Sequence, residues 1–250
     1  MDRMIYVAMT GAKHTLGQQA AASNNLANLN TTGYRSENNM LRAVPVFSDT
    51  LATRAFVVDS SAGSDFRPGK LQETRRDLDV AIEGRGWIAV QLENGEEAYT
   101  RNGNLQVSAN GVLQTRNGMN IMGEGGPIAI QPNSTITIAK DGTVSTVPFR
   151  PGSNESNVVI TAGRIKLVDP PEGELTRGAD GLFRLNSGRP VEASPNVTLI
   201  SGTLEGSNVN VVDALVDMIG LSRQFETHMK LLQNAEGNAQ RASNLLNLSS

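Results

Sequence analysis

The sequence contains no cysteine, which excludes disulfide bonds, cysteine-ligated metal sites and thiol catalysis. Aromatic residues make up only 4% of the 250 residues, so a hydrophobic core must be built mainly from aliphatic side chains. Charged residues are also scarce, at 19% with a net charge of −3. Proteins that bind nucleic acids usually carry a basic excess, so this composition argues against a nucleic-acid partner.

Long hydrophobic runs are missing too. No stretch approaches the roughly 18 consecutive apolar residues of a membrane-spanning helix, so we expect no membrane span. Residues 1–9 contain a short apolar run without a basic lead or a small-residue cleavage site, unlike a conventional signal peptide. We therefore expect a protein that either stays in the cytoplasm or leaves it without N-terminal cleavage.

Residues 1–34 are predicted to contain a long helix. Proline is absent from Asp2 to Asn30, and Gly33 follows where a helix would stop. Apolar or small residues recur there in steps of four and three, which is the spacing of one heptad stripe. This stripe consists of Ile5, Met9, Ala12, Leu16, Gln19, Ser23, Leu26 and Asn30.

Residues 207–250 repeat this pattern at the other end of the chain. The second stripe consists of Leu215, Met218, Ser222, Phe225, Met229, Leu232, Glu236, Ala239, Ser243 and Leu246. A narrow apolar stripe must be covered by another surface, because most helical stability in proteins comes from packing. We therefore predict that the two terminal helices pair as a coiled coil. The alternative is a helical hairpin that packs on the protein's own β domain.

Between the helices the pattern changes to the period of two that is typical of strands, for example at Leu78, Val80 and Ile82. Six dipeptides favour short hairpin turns, because their residues tolerate positive φ. They are Asn94-Gly95, Asn102-Gly103, Asn110-Gly111, Asn117-Gly118, Asp141-Gly142 and Asp180-Gly181. The sequence thus predicts an α+β protein. Residues 76–206 form its antiparallel β-rich domain, a small barrel or sandwich, and residues 35–75 form an extended connector.

No group of residues indicates catalysis, a cofactor or a metal ion. The histidines His14 and His228 fall on the terminal helices away from the heptad stripes, as surface or interface residues. Asp79 alternates with the apolar residues of its strand, so its side chain is expected to face solvent. The segment Gly84-Arg85-Gly86 lacks the third glycine and the following helix of a dinucleotide-binding loop. We expect a protein that is not an enzyme and has no small-molecule substrate.

Asparagine is concentrated near the end of the first helix, although its side chain competes for backbone hydrogen bonds in helix interiors. Asn24 and Asn28 lie four residues apart and share a face of the helix. One hypothesis is that their amides form hydrogen bonds between subunits and fix the register of the helices. The alternative is a solvated face, which could line a channel.

Four segments, in the right order along nearly the whole chain, resemble the flagellar rod and hook family of axial proteins. Ser23–Arg35 (SNNLANLNTTGYR) is similar to the N-terminal signature of that family. Asp79–Trp87 (DVAIEGRGW) and Tyr99–Leu105 (YTRNGNL) resemble segments of its middle domain. Ser207–Val212 (SNVNVV) resembles the start of its C-terminal helix. Trp87 and Leu105 stand where family members more often carry phenylalanine.

The resemblance implies a structural subunit of the bacterial flagellar basal-body rod. Such subunits polymerise helically, with their own copies and with neighbouring rod proteins, into a drive shaft that crosses the periplasm and encloses the export channel. Their terminal helices line the channel, and their β domain forms the outer wall. The opening MDRMIY and the short chain are most similar to a member from the proximal rod, with a distal-rod protein as the alternative.

The resemblance also implies export by the flagellar type III apparatus, without a cleaved signal peptide. Phe47 and Leu51 fit the export-gate pattern Phe-x-x-x-apolar, although two apolar residues packing the connector onto the rest of the protein would look the same. Subunit contacts are expected through residues of both helices, namely Asn24, Asn25, Leu26, Asn28, Leu215, Met218, Phe225, Met229 and Leu232. A secreted β-rich binding module with a helical stalk is the alternative function, and it would keep its ligand after deletion of residues 1–34.

Overall fold

A computed structural model describes residues 2–45, 55–92, 94–148 and 158–247 of the chain. It contains two long helices and many antiparallel strands, which confirms the predicted α+β class. The chain divides into two compact units. Met1–Leu29, Ser36–Asp65 and Val209–Ser250 form the helical unit, whereas Asn30–Arg35 and Phe66–Asn208 form the β unit.

The helical unit contains helix α1, Asp2–Ala27, and helix α2, Val211–Asn247. At a rise of about 1.5 Å per residue, the helices are about 39 Å and about 56 Å long. They pack against each other. Gly11 of α1 lies against His228 of α2, whereas Ala22 and Gly220 border one shared cavity nearer the end of α1 and the start of α2. The two helices therefore run antiparallel.

The helical unit also contains a two-stranded antiparallel sheet of β1, Glu37–Pro45, and β2, Ala55–Ser64. A bulge between Met40 and Leu41 shifts the register of this pair. Both strands lie inside the segment 35–75 for which the sequence predicted an extended connector. Their alternation is hard to read in the sequence because small and polar residues such as those of Asp59–Ser64 interrupt the apolar positions.

The β unit is built from short strands of two to six residues. They are β3 (Leu71–Glu73), β4 (Val80–Glu83), β5 (Trp87–Gln91), β6 (Glu97–Thr100), β7 (Leu105–Val107), β8 (Leu113–Thr115), β9 (Asn120–Gly123), β10 (Gly126–Pro127), β11 (Ser134–Ile138), β12 (Thr143–Pro148), β13 (Ile160–Arg164), β14 (Leu167–Val168), β15 (Leu175–Arg177), β16 (Phe183–Leu185), β17 (Thr198–Ser201) and β18 (Thr203–Glu205).

The largest sheet has the order β15-β16-β6-β5-β9-β8-β7, with β10 beside β9 and β14 beside β5. A second sheet has the order β11-β12-β13, and the pairs β17-β4 and β18-β3 complete the unit. Its strands pair in an antiparallel sense, as the hairpin signals predicted. A barrel requires its end strands to pair with each other, and β15 and β7 do not pair in the described part of the chain. The prediction of a closed barrel is therefore wrong, and a sandwich stays a prediction.

Five of the six predicted turn dipeptides place their glycine at positive φ. The exception is Asn102-Gly103. The carbonyl of Gly103 accepts a hydrogen bond from the Val80 amide at 3.0 Å, and a Cβ on Gly103 would collide with the Val80 carbonyl. Glycine is required there because two backbones approach closely, not because the chain reverses in a hairpin.

The main core of the β unit is aliphatic, as the composition predicted, and includes Ile88, Leu105, Leu113, Ile121 and Leu199. A second, smaller cluster is aromatic and contains Trp87, Tyr99 and Phe183, with Phe66 packed against it. The ring centroids of Trp87 and Phe183 are 4.6 Å apart. In the part of the chain that the structure describes, neither helix is long and apolar enough to cross a membrane.

Candidate functional site

The face that α1 turns inward is made of small side chains. Ala8, Ala12 and Thr15 are its buried residues, with Ala8 only 6% exposed. Ala12 belongs to the predicted stripe, whereas Met9 and Leu16, which the stripe also contained, are 52% and 50% exposed. The inner stripe thus shares Ala12 with the predicted one but has Ala8 and Thr15 in place of Met9 and Leu16. The heptad count selected the larger apolar residues, whereas close packing of two helices favours the smaller ones.

The face of α2 that is least exposed follows a similar spacing. Ala214 is buried, and Met218, Phe225 and Leu232 are half-buried at steps that keep them on the same face. The remaining two α2 residues proposed as subunit contacts, Leu215 and Met229, are exposed. Leu26, the corresponding apolar residue of α1, is half-buried.

Large apolar side chains are exposed on both helices. Tyr6, Met9 and Leu16 form a stripe along α1, which we call the α1 apolar stripe. On α2, the stripe consists of Val212, Leu215, Val216 and Ile219. Counted from Val212, the other positions of this α2 apolar stripe lie three, four and seven residues along the helix, so they share one face with it. Ile219 is 56% exposed and Val216 is 62% exposed. Contiguous exposed apolar residues mark a surface for association with another macromolecule.

The asparagine cluster makes its hydrogen bonds inside the chain. The side-chain nitrogen of Asn25 donates to the backbone carbonyl of Glu37 at 3.0 Å. The side-chain oxygen of Asn25 accepts from the backbone amide of Glu37 at 2.8 Å. Asn25 thereby pairs with the first residue of β1 as a neighbouring strand would. Asn24 donates to a carboxylate oxygen of Glu37 at 3.2 Å, and Asn28 donates to the Oδ1 of Asn24 at 2.9 Å. These bonds join the end of α1 to the start of the β1–β2 sheet.

The β unit holds a buried ionic cluster that the sequence did not reveal. The Glu205 carboxylate accepts hydrogen bonds from Arg35 at 2.7 Å, from Arg101 at 3.0 Å and from the Gly69 amide at 2.8 Å. The side chains of Arg35, Arg101 and Glu205 are no more than 5% exposed. Two guanidinium groups therefore share one carboxylate away from water.

The guanidinium of Arg101 in this cluster has further contacts. Arg101 donates to the Gly84 carbonyl at 2.7 Å, and its guanidinium lies 5.5 Å from the centroid of the Trp87 ring. Burial lowers the pKa of the Arg101 guanidinium below its usual value, and the nearby Glu205 carboxylate opposes this shift. The guanidinium of Arg177 stacks on the Tyr34 ring at 4.3 Å and donates to the Arg35 carbonyl.

Arg35 and Arg101 belong to segments that resemble the family motifs, yet nothing in the sequence shows that they share Glu205. A charged residue at the end of a motif can face solvent or be buried with a partner, and only tertiary contacts distinguish the two. The strand alternation also misplaced Asp79, which is 3% exposed and lies 3.3 Å from a guanidinium nitrogen of Arg76. The strand that follows it, β4, is buried on both sides, since Val80 and Ala81 are both buried.

The two histidines are half-buried in the helical unit. His228 lies on the inner face of α2, not away from it as the sequence predicted. Phe47 and Leu51 lie outside the residues that the structure describes. Among residues 2–45, 55–92, 94–148 and 158–247, no three metal-ligating side chains are grouped together.

Three family models match successive parts of the chain. Residues 5–35 match the model described as flagella basal body rod protein, and residues 81–146 match the D1 domain of the flagellar hook protein FlgE/F/G. Residues 200–245 match the C-terminal model of the flagellar basal body rod FlgEFG proteins. The first and third matches contain most of α1 and α2, and the second contains strands of the β unit.

Curated relatives match the chain along its whole length. It is 47% identical to the flagellar basal-body rod protein FlgF of Escherichia coli (strain K12), with 100% of both chains covered. The identity to FlgF of Salmonella typhimurium is also 47%, again over 100% of both chains. The flagellar basal-body rod protein FlgG of Buchnera aphidicola subsp. Acyrthosiphon pisum is 32% identical, over 96% of this chain and 98% of the relative.

Proposed function

Because the chain belongs to the family of flagellar basal-body rod proteins and is a structural, non-enzymatic subunit of that rod, we propose that it builds the proximal part of the rod. It polymerises there helically with its own copies and with neighbouring rod proteins. The resulting shaft crosses the periplasm, transmits torque and encloses the channel through which later subunits pass.

The observation that carries this proposal is the pair of exposed apolar stripes on α1 and α2. Fully burying one valine, isoleucine or leucine side chain is worth about 1.5–3 kcal/mol, so a neighbouring subunit that covers Val212, Val216 and Ile219 gains a substantial association energy. The α1 stripe lies toward the start of α1, and the α2 stripe lies toward the start of α2. In an antiparallel pair they therefore lie toward opposite ends, which suits head-to-tail contacts that continue as an open helix.

The terminal helices form the contact region of the proposed rod as a coiled coil. Gly11 faces His228, so the start of α1 reaches the level of about residue 237 on α2. About ten residues of α2, or about 15 Å, extend past α1 and remain for neighbouring subunits. The residues proposed from the sequence, from Asn24 and Asn28 on α1 to Leu232 on α2, belong to this contact region.

The proximal position is supported by the relatives. The identity to FlgF proteins of Escherichia coli and Salmonella typhimurium is 47%, against 32% for the FlgG protein of Buchnera aphidicola. The distal rod is the competing position. A binding module with a helical stalk is not favoured, because rod proteins align with the whole chain, β unit included.

We further propose that the chain reaches the rod through the flagellar export apparatus without a cleaved leader, with Phe47 and Leu51 as the export-gate motif. Replacement of both residues by alanine should reduce secretion of the chain while its intracellular amount stays the same. Replacement of Leu41 and Val44 provides a matched control with two apolar residues removed from the same segment. Equal secretion of the two variants would show that the motif does not direct export.

The rod function is tested in a strain that lacks the gene for this chain. We expect cells without hooks and without motility, and recovery on expression of the full chain. A chain that lacks residues 1–34 should not restore motility although immunoblots detect it. Electron cryomicroscopy of isolated basal bodies should show the side chain of Trp87 in the proximal rod. Density in the distal rod would favour the alternative position, and a motile deletion strain would overturn the function.

A further inference from the structure

The inner surface of α1 offers few features that could prevent the helices from sliding along each other. Ala8, Ala12 and Thr15 line α1, and such small side chains provide neither large knobs nor deep holes. In helix pairs, register is usually specified by interlocking side chains or by a buried polar residue. The contact between Gly11 and His228 is of the interlocking kind.

The imidazole of His228 occupies the space where a side chain at position 11 would begin. A Cβ built on Gly11 would lie 2.5 Å from Cε1 of the ring and 2.9 Å from each ring nitrogen. Real Cβ atoms essentially never approach other heavy atoms so closely. The absence of a side chain at position 11 therefore forms a notch that the ring fills.

The ring is held there by its shape. Its Nδ1 is buried and makes no hydrogen bond with any residue that the structure describes. A buried polar atom without a partner is unfavourable, so Nδ1 does not help to hold the ring in this position. The ring is kept there by the side chains and backbone packed around it. The residues one turn away from Gly11 on α1 are Val7 and Thr15, which carry β-branched side chains where Gly11 has none.

We propose that His228 and Gly11 form a knob and notch that set the axial register of α1 against α2. A slip of one turn in either direction moves the ring onto Val7 or Thr15, where there is no notch. Register also decides how far the α1 apolar stripe lies from the α2 apolar stripe along the pair. This last consequence rests on the proposed rod function, whereas the contact itself does not.

The chain supplies matched controls for a test. Gly17 and Gly220 also lie inside the two helices, but a Cβ on either would meet nothing within 4 Å. An alanine at Gly17 should raise the thermal midpoint of the helical unit by about 1–4 °C, because alanine favours the helix by about 0.5–1 kcal/mol. The substitution Gly11→Ala adds the same preference but expels the ring, so its midpoint should fall below that of Gly17→Ala.

The decisive comparison is the same pair of substitutions in a His228→Ala background. With the ring removed, Gly11→Ala should behave as Gly17→Ala does, and the difference between them should disappear. Circular dichroism of the full chain measures the helical signal and its midpoint. A difference of equal size in both backgrounds, or no difference in either, would overturn the proposal.

Register itself is measured by distance. The chain has no cysteine, so spin labels on cysteines introduced at Ala20 and Arg223, which are both exposed, report one distance between α1 and α2. We expect a narrow distribution in the parent chain and a broader or doubled one in His228→Ala. An unchanged narrow distribution would show that other contacts set the register.

Swimming provides a readout that does not require the free chain to be helical. In the strain that lacks the gene, Gly17→Ala should support swimming, Gly11→Ala should not, and the double variant Gly11→Ala with His228→Ala should recover part of it. Equal swimming by both single glycine variants would overturn the register proposal and leave the rod function intact. Swimming by the strain without any copy would instead overturn the rod function.

Discussion

Arg35 donates a hydrogen bond of 2.7 Å to Glu205, although the two residues are 170 positions apart in the sequence. Arg35 follows α1 and Glu205 precedes α2, so this ion pair joins the segments next to both helices inside the β unit. The amide of Gly33 also donates to the Glu205 carbonyl, at 2.7 Å. The two ends of the β unit are thus held together by charge as well as by backbone hydrogen bonds.

Substitution of Glu205 by glutamine should destabilise the β unit by about 3–5 kcal/mol, because it leaves Arg35 and Arg101 buried without their shared carboxylate. Urea unfolding measures this loss, and the fluorescence of Trp87 follows it locally because Trp87 is the only tryptophan. The control is Asp180→Asn, which breaks the more exposed ion pair with Arg184 and should cost at most about 1 kcal/mol. Equal losses in the two variants would contradict a buried, energetically important cluster.

Alkaline pH should destabilise the β unit through Tyr99. Burial raises the pKa of its hydroxyl to about 12 from the usual 10. A raised pKa in the folded state means that the tyrosinate is disfavoured there. The stabilisation is thus complete below pH 10 and is lost as the pH rises through 12. We expect the free energy of unfolding to fall over this interval.

The substitution Tyr99→Phe should flatten that part of the pH profile, while the loss of the hydrogen bond from the Val191 amide lowers stability at neutral pH. Tyr6→Phe, which changes an exposed tyrosine of α1, serves as the control and should keep the parent profile. Urea unfolding from pH 9 to pH 12 measures all three chains. An unchanged slope in Tyr99→Phe would assign the alkaline transition to other groups.

A lysine at position 219 should leave the free chain stable but prevent its assembly. Ile219 is exposed on the α2 apolar stripe, and exposed substitutions usually change stability by no more than about 0.5 kcal/mol. A charge there would have to be desolvated in a subunit contact. The matched control is Gln233→Lys on an exposed polar position of the same helix. Thermal unfolding and swimming should separate the two variants, and equal swimming would show that this stripe is not a contact.

Alanine at position 25 should loosen the start of the β1–β2 sheet. Asn25 makes two hydrogen bonds to the backbone of Glu37, and each bond is worth about 0.5–1.5 kcal/mol. Hydrogen exchange at the Glu37 amide should therefore accelerate. Asn28→Ala removes the bonds to Asn24 and keeps both bonds from Asn25 to the Glu37 backbone, so it should leave that amide protected. If Asn28→Ala accelerates exchange at the Glu37 amide as much as Asn25→Ala does, the asparagines stabilise the end of α1 together and the two bonds from Asn25 have no separate effect.

Swimming of cells with alanine at both Asn24 and Asn28 tests whether these residues also make contacts between subunits. Their amides already bond to Glu37 and to each other within the chain. Loss of swimming without faster hydrogen exchange at the Glu37 amide would support contacts across subunits. Normal swimming would favour a purely local role.

Much of the fold was predictable because it depends on local patterns. The absence of proline from Val211 to Leu248 predicted α2, which extends from Val211 to Asn247. Asn-Gly and Asp-Gly dipeptides marked turns because the required positive φ is a property of the residues themselves, as at Gly118 and Gly142. The α+β class followed from these local signals.

The contacts were less predictable because they depend on what lies opposite. Periodicity chose Met9 for the inner face of α1, but the close approach of α2 selects Ala8. Nothing near Asn25 in the sequence shows that its side chain forms hydrogen bonds with the backbone of Glu37. The two residues are joined by a turn, and the sequence pattern does not specify the geometry of that turn. The pairing of β18 with β3 brings residues more than 100 positions apart together, and no short motif records it.

The sequence by itself determined the helical ends, the antiparallel strands and membership of the rod family, because residue preferences, turn chemistry and family motifs are all local. Only the tertiary structure decided that Arg35, Arg101 and Glu205 share one buried site. A charge is stable away from water only when partners from distant parts of the chain meet it, and that meeting is a property of the whole β unit.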